Sequence, residues 1–357
     1  MPVYPAVVLT KANGAVLQAN PQTPYPPTPG PDEVLIRNVA VASNPKDWKL
    51  SKVGYYEGIE GNDVAGYVDA VGENVKEFKK GDRVAGFTKM ATSNAYGAYQ
   101  THSVCPASTT FPLGPNTSFE DAATLPLAAM TAAIGLFVRL KAVEPTVDGE
   151  PNPEAAGRGV VIWGASSSVG AFTVQLAKRA GYFVIGVAGA GSKLAKDLGC
   201  DVVLDYRTPG IGDQIKKAIA DSGKTFDIAY DAHSGVSGDS TSFVELAQVL
   251  QPQGGIVAVV IPVPEPDKAQ LPSNIEAPWT LVGTAHHPTA AGGDADFAYR
   301  WFRQLGKWLE EGKFRPNVVR VMPGGLAGVR EGLELMETGK ISGEKLVYRI
   351  DETPTSF

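Results

Sequence analysis

The sequence predicts a two-domain α/β protein, in which a small β-rich domain accompanies a doubly wound parallel sheet with helices on both faces. Three observations carry that expectation. A chain of 357 residues exceeds what one small hydrophobic core organises. Its first third consists of short β-type runs cut by Gly and Pro. From residue 159 onward, apolar strands alternate with helical segments at the spacing of βα units.

The elements follow in order. "AVVLT", "EVLIRNVAVAS", "VAGYVDAVG", "DRVAGF" and "GAYQTHSV", up to about Thr110, read as an antiparallel β domain. The Pro-rich "NPQTPYPPTPGP" is a surface connection, because proline denies a ladder its donors. "DAATLPLAAMTAAIGLFV" (121–138) has the Ala and Leu content of a buried helix pair, and "EPTVDGEPNPEAAGR" reads as a loose acidic loop. The parallel sheet then takes "GVVIWG", "YFVIGVA", "VVLDY", "DIAYDA", "GGIVAVVI" and, last, "WTLVGTA". In "DADFAYRWFRQLGKWLEEG", Phe297, Trp301, Leu305 and Trp308 share one helical face, a stripe that reads as core. The tail gives strand, helix, strand and is placed back on the first domain.

A net charge of −6 argues against a nucleic-acid binder, and no apolar run approaches the ~18 residues of a spanning helix. A cytoplasmic protein is expected. Cys105 and Cys200 are too few for a disulfide framework or a four-cysteine zinc site.

"GASSSVG" (164–170) sits where the first strand of the parallel sheet turns into a helix. Dinucleotide-binding turns there use three glycines for a tight turn, close approach to the pyrophosphate, and packing of helix on strand. Aligned on the last of them, the positions are Ala165, Ser167 and Gly170, so only the packing glycine remains. Gly164 can supply the turn. The N–H groups around Val169 at the helix start and the hydroxyls of Ser166, Ser167 and Ser168 can then hold a pyrophosphate. A plain serine N-cap is the competing reading.

At the end of the second strand, a cofactor with a free ribose 2′-hydroxyl usually meets an Asp or Glu. Here stand Ala188 and Gly189, followed by Ser192 and Lys193, with Tyr206 and Arg207 closing the next strand. Hydroxyl, ammonium, phenol and guanidinium suit a phosphate, so NADPH is the expected cofactor. The alternative is a solvated Lys193 and a Tyr206 packed on the sheet.

Together, "SNPKDWK" (43–49), "GNDVAGYVDAVG" (61–72), "FKKGDRVAG" (78–86), "LPLAAMTA" (125–132), "GASSSVG" and "KISGEKLV" (340–347) resemble the zinc-free medium-chain dehydrogenase/reductase superfamily. The likeness spans nearly the whole chain and is greatest to quinone-oxidoreductase-like and fungal trans-enoyl-reductase-like members. It implies a GroES-like catalytic domain from residues 1–130 and 313–357, and a Rossmann NADPH-binding domain from 131–312, with the active site in the cleft between them. By position, it implies that Asn44, Lys49 and Thr131 lie beside the nicotinamide and the substrate, and that Lys345 returns over the cofactor phosphates. For Lys345 an edge-strand lysine is the alternative. Lys46 has no such counterpart, and Asp47 is expected to pair with a neighbouring cation and fix its loop. Zinc-using relatives carry Cys, and a His-Glu pair, where this chain has Asn44 and Asn62-Asp63, so no metal site is expected. His286-His287 lacks a nearby third ligand.

Metal-free hydride delivery suits a conjugated acceptor, whose charge spreads into an enolate that N–H groups or Lys49 can stabilise. Water or the Thr131 hydroxyl then supplies the α-proton. The expected substrate is a small apolar enone, enoyl thioester or quinone, a polyketide intermediate among the candidates, and a monomer is favoured slightly over a dimer paired through "WTLVGTA". Zinc-free carbonyl reduction and a non-catalytic NADPH-binding role stay open at this level.

Overall fold

The computed structural model describes residues 4–234, 236–237 and 240–356. The chain divides into two units, Met1–Met130 with Gly283–Phe357, and Thr131–Val282.

The N-terminal part contributes β1 (Pro5–Thr10), β2 (Gly14–Ala19), β3 (Glu33–Ala42), α1 (Pro45–Lys52), β4 (Gly58–Ile59), β5 (Asp63–Val71), β6 (Arg83–Phe87), β7 (His102–Pro106), β8 (Thr110–Pro112), α2 (Phe119–Ala123) and α3 (Pro126–Ala133). The second unit holds β9 (Arg158–Trp163), α4 (Ser168–Ala180), β10 (Phe183–Ala188), α5 (Ser192–Asp197), β11 (Val202–Asp205), α6 (Ile211–Ser222), β12 (Thr225–Asp231), the two-residue β13 (Val236–Ser237) and β14 (Ser240–Thr241), α7 (Ser242–Leu250), β15 (Gly255–Val259), α8 (Glu265–Lys268) and β16 (Ile275–Glu276). The chain then adds α9 (Ala295–Glu310), β17 (Val318–Val321), α10 (Val329–Glu337) and β18 (Glu344–Arg349) to the first unit.

In the first unit, β2, β1 and β4 form one sheet and β17-β18-β3-β5-β6-β8 another, with β7 pairing to β3. All pairs are antiparallel except β17 with β18. Val34, Ile36, Val64, Val68, Val84 and Leu346 alternate into its buried core, as the period of two requires. Chain return is therefore structural: β18 from the C-terminus pairs Val347 with Ala42 of β3.

In the second unit, six strands run β11-β10-β9-β12-β15-β16, all parallel, and β13 pairs with β14 as a separate antiparallel ribbon. Near-continuous apolar strands such as "GVVIW" fit a sheet covered on both faces. Strand order reverses between β9 and β12, and ligands of such sheets bind beyond the carboxyl ends of the strands at that reversal. The "GASSSVG" turn leaves the sheet there.

Three expectations need correction. The helix α9, expected with the parallel sheet in 131–312, groups with the first unit. Its Phe302 stacks on Phe111 at 5.9 Å, and Arg303 donates to Ser108 O at 2.8 Å and to Glu77 Oε2 at 2.6 Å. "WTLVGTA" is not the last strand: Trp279 forms an isolated bridge with Val259, and the backbone of Val282–His286 turns into a 3-10 helix. Finally, "NPKDWK", read as a loop, opens helix α1, because Pro45 is pre-set for a first helical turn and Asp47 reaches back to cap it.

Candidate functional site

The serine turn follows from local sterics. Gly164 takes φ 74°, the left-handed conformation that favours glycine. At Gly170 a Cβ would stand 2.0 Å from Gly164 O, so the residue that keeps helix on strand must be glycine. Ser167 caps α4, its Oγ accepting from Gly170 N at 3.1 Å. That hydroxyl is therefore engaged by the helix. Ser166 packs so tightly on Gly191 that a Cβ there would lie 2.3 Å from its Oγ. Residues 166–169 are part-exposed around the N-terminus of a 13-residue helix, where N–H groups and dipole favour an anion.

Beyond β10, the backbone of Ala188 and Gly189 carries no acid. Tyr206 lies over this point, since a Cβ on Gly189 would meet its Cε1 at 2.6 Å, and its side chain is half exposed. Ser192 Oγ donates to Gly189 O at 2.7 Å. Lys193 is a solvated helix residue paired with Asp197 at 2.5 Å, and the Arg207 guanidinium clamps Asp205, holding that carboxyl down at about 2. Ser192 and Tyr206 thus face the same corner, and the two cations are engaged with their own neighbours.

Helix α1 of the first unit carries two lysines with opposite surroundings. Lys46 is locked: its Nζ lies 2.9 Å from Asp47 Oδ1 and bonds Glu60, both carboxylates buried. These anions hold its pKa above the ordinary lysine value despite burial. Asp47 does pair with a neighbouring cation, and it also accepts from Tyr99 at 2.5 Å. Burial, the Lys46 charge and Asp47 act together on Glu60, whose carboxyl is pushed up chiefly by desolvation. Lys49, one turn on, is half-buried, and among the described residues no carboxylate lies within ion-pair distance of it. Its Nζ stands 5.5 Å from the centroid of the Trp48 ring. Desolvation without a counter-ion pushes its pKa down.

Asn44 and Lys345 come together in a buried cluster that the sequence did not announce. Lys345 Nζ donates to Asn44 Oδ1 at 2.6 Å and lies 3.0 Å from Asp63 Oδ2; Asn44 Nδ2 donates to the same oxygen at 2.8 Å. The other oxygen of Asp63 accepts from Leu127 N at 2.6 Å, at the start of α3. Lys345 is 3% exposed and sits in β18 between β17 and β3. Neither expectation for it holds, because the ammonium is turned inward to a carboxylate rather than to solvent or phosphate, and its strand is not an edge. Next door, Asn62 Nδ2 donates to Thr88 Oγ1 at 2.9 Å.

Thr131 is 5% exposed at the start of the second unit, and its carbonyl accepts from Tyr230 at 2.8 Å. His286 packs at 4.6 Å on Phe87, its Nε2 3.0 Å from Phe87 O, and burial pushes its pKa down to about 4. Among the described residues no three His, Cys, Asp or Glu side chains are grouped to hold a metal ion. Nor is any described helix long and apolar enough to cross a membrane.

Residues 30–115 match the family "Alcohol dehydrogenase GroES-like domain", and residues 168–285 match "Zinc-binding dehydrogenase". The chain is 33% identical over 349 residues to "Dehydrogenase orsE" of Emericella nidulans, covering 91% of this chain and 93% of the relative. This chain is a medium-chain dehydrogenase/reductase. A second relative of this dehydrogenase/reductase is "Trans-enoyl reductase himH" of Aspergillus japonicus, 31% identical with 90% of each chain covered. Among solved structures, "CurK enoyl reductase" superposes with a TM-score of 0.72 at 20% identity, covering 97% of this chain and 99% of that one. "Mycobacterial Rv1454c complexed with NADPH" does so at 0.71 and 23%, with the same coverage. As a member of this superfamily the dehydrogenase/reductase has a GroES-like domain and a Rossmann-type parallel sheet, and it is an oxidoreductase.

Proposed function

We propose that this chain is an NADPH-dependent, zinc-independent reductase of an activated C=C bond, in an enone or enoyl thioester, or of a quinone. The observation that carries the reading is the contrast on α1: Lys46 is neutralised by two buried carboxylates, whereas Lys49 keeps an ammonium with no carboxylate partner among the described residues. A half-buried cation in that state is available for charge that develops on an acceptor oxygen. Relatives named as trans-enoyl reductases point the same way.

NADPH, when bound, supplies a hydride to the β-carbon of the acceptor and is thereby oxidised to NADP+. The π electrons of the C=C bond move onto the conjugated oxygen, which the Lys49 ammonium stabilises. A proton from water or the Thr131 hydroxyl closes the α-carbon, so one C=C becomes two C–H bonds. Residues 166–169 would hold the pyrophosphate at the α4 N-terminus. Tyr206 would face the ribose phosphate beside Ser192, whose hydroxyl proton is given to Gly189 O, and the absence of an acid after β10 would favour NADPH over NADH. These residues fit the cofactor.

Zinc does not fit. The first unit offers Asn44, Asn62 and Asp63 where a metal would need thiolate or imidazole donors, and the Lys345 ammonium already contacts both Asn44 and Asp63. Activity should therefore survive exhaustive dialysis against a chelator. A small conjugated substrate acted on by a cytoplasmic monomer completes the reading.

The test is incubation with NADPH and a simple α,β-unsaturated ketone, followed by product analysis. Saturated ketone is the expected product. Allylic alcohol would move the assignment to carbonyl reduction, and NADPH binding without turnover across enones, enoyl thioesters and quinones would overturn catalysis altogether.

A further inference from the structure

Tyr230, in β12, is fully buried, and its phenol donates to the main-chain carbonyl of Thr131 at 2.8 Å. Four residues along, Gly135 has no room for a side chain: a Cβ would stand 2.3 Å from Tyr230 Cε2 and 2.4 Å from its hydroxyl oxygen. From Ile134 to Arg139 the helix that begins as α3 continues in π register, with Leu140 N donating to Gly135 O at 2.9 Å. Such widened turns recur at functional sites. Here the Tyr230 ring fills the space that a side chain at 135 would occupy. Its hydroxyl ends on the carbonyl one turn earlier. Burial pushes the phenol far above its ordinary titration range, so it is a neutral donor at every working pH.

We infer that Tyr230 is a positioning residue that sets the place of Thr131 by pinning its carbonyl just before the α-to-π junction. The inference rests on the proposed role of Thr131 beside the substrate. Ring and hydroxyl have separate tasks. The ring against Gly135 keeps the widened turn, and the hydroxyl fixes the height of the Thr131 peptide, from which its side-chain hydroxyl projects.

Tyr230→Phe keeps the ring and removes the hydrogen bond. Misplacing a positioned group by about 1 Å costs about 10²-fold in rate, so the partial release expected here should lower kcat roughly 10-fold. KM for the enone and Kd for NADPH should stay within about twofold, which a general loss of structure would not allow. In a Thr131→Ala background, Tyr230→Phe should add nothing further, while Thr131→Ser should retain most of the wild-type kcat.

If Thr131→Ala itself keeps the wild-type kcat, the role of Thr131 falls and the positioning of it falls with that role. If Thr131→Ala is impaired but Tyr230→Phe is not, or if the two losses multiply, the positioning inference alone is overturned and the proposed function stands. Should Tyr230→Phe fail to fold, Gly135→Ala, whose methyl displaces the ring, is read in the same way: a folded variant with wild-type kcat overturns the inference.

Discussion

Replacing Lys345 by methionine removes one partner of a buried ion pair and leaves the other in place. Asp63 is fully buried, and Lys345 is only 3% exposed. Breaking such a pair typically costs about 3–5 kcal/mol, because the surviving charge is stranded away from water. Asp63 keeps two N–H donors, Leu127 N and Asn44 Nδ2, and the α3 N-terminus favours its charge, so the lower half of that range applies. Asn44 Oδ1 loses its donor as well, worth about 1 kcal/mol. The expected loss is about 4–5 kcal/mol, or at least about 8 °C in the melting temperature of a domain of this size. The double variant Asp63→Asn with Lys345→Met strands no charge, and should melt above Lys345→Met alone. Thermal unfolding at pH 7 without cofactor is the assay. A Lys345→Met protein that melts within about 2 °C of wild type, or a double variant that melts below it, would refute the buried-pair account.

Gly170→Ala would drive a methyl against Gly164 O and should reduce NADPH affinity by at least about 10-fold with about 1–3 kcal/mol of overpacking strain, as read by cofactor fluorescence titration and a melting curve. Tyr206→Phe should lower the NADPH-to-NADH ratio of kcat/KM by about 5–10-fold, the worth of one hydrogen bond, whereas Ser192→Ala, whose hydroxyl proton is already given to Gly189 O, and Lys193→Ala, an 88% exposed side chain paired with Asp197, should each change it less than twofold. Because burial depresses the Lys49 pKa, the protonated form is lost as pH rises, at a pH below the ~10.4 of an ordinary lysine. The alkaline limb of kcat/KM should therefore fall early, and Lys49→Arg, which stays charged, should move that limb to higher pH. A limb unmoved in Lys49→Arg would assign it to another group.

Much of the fold was legible because period and punctuation agree in this sequence. Apolar runs of strand length alternating with capped helices leave little choice but a parallel sheet, and α4 ends on Lys178 and Arg179 in its last turn and a left-handed Gly181 beyond it. What misled was local similarity between outcomes. "WTLVGTA" has strand composition throughout, but an apolar run of that length is equally at home in a bridge followed by a 3-10 turn. The Trp face of α9 correctly announced burial, yet a stripe does not say which core it meets. That depended on Phe111 and the carbonyls of residues 107, 108 and 110, far away in sequence.

The site was legible where backbone sterics decide and illegible where counter-ions decide. Gly164 and Gly170 could be assigned from one heptapeptide, since a left-handed φ and a 2.0 Å approach belong to the turn itself. Lys46, Lys49 and Lys345 look alike as letters. Their states are set by Glu60, by the absence of any described carboxylate at ion-pair distance, and by Asp63, and no local pattern connects Lys345 with a carboxylate 282 positions upstream. The resemblance placed Lys345 over phosphates because it supplied a position without its partner. Tyr230 was missed for the same reason, although "TAAIGLF" held a usable signal: a glycine inside a helical run costs about 1 kcal/mol, and its retention points to something pressed against it. Of the three lysines, then, the one available to the proposed reaction is the one the fold left without a carboxylate among the described residues, and that distinction exists only once the chain has brought its carboxylates home.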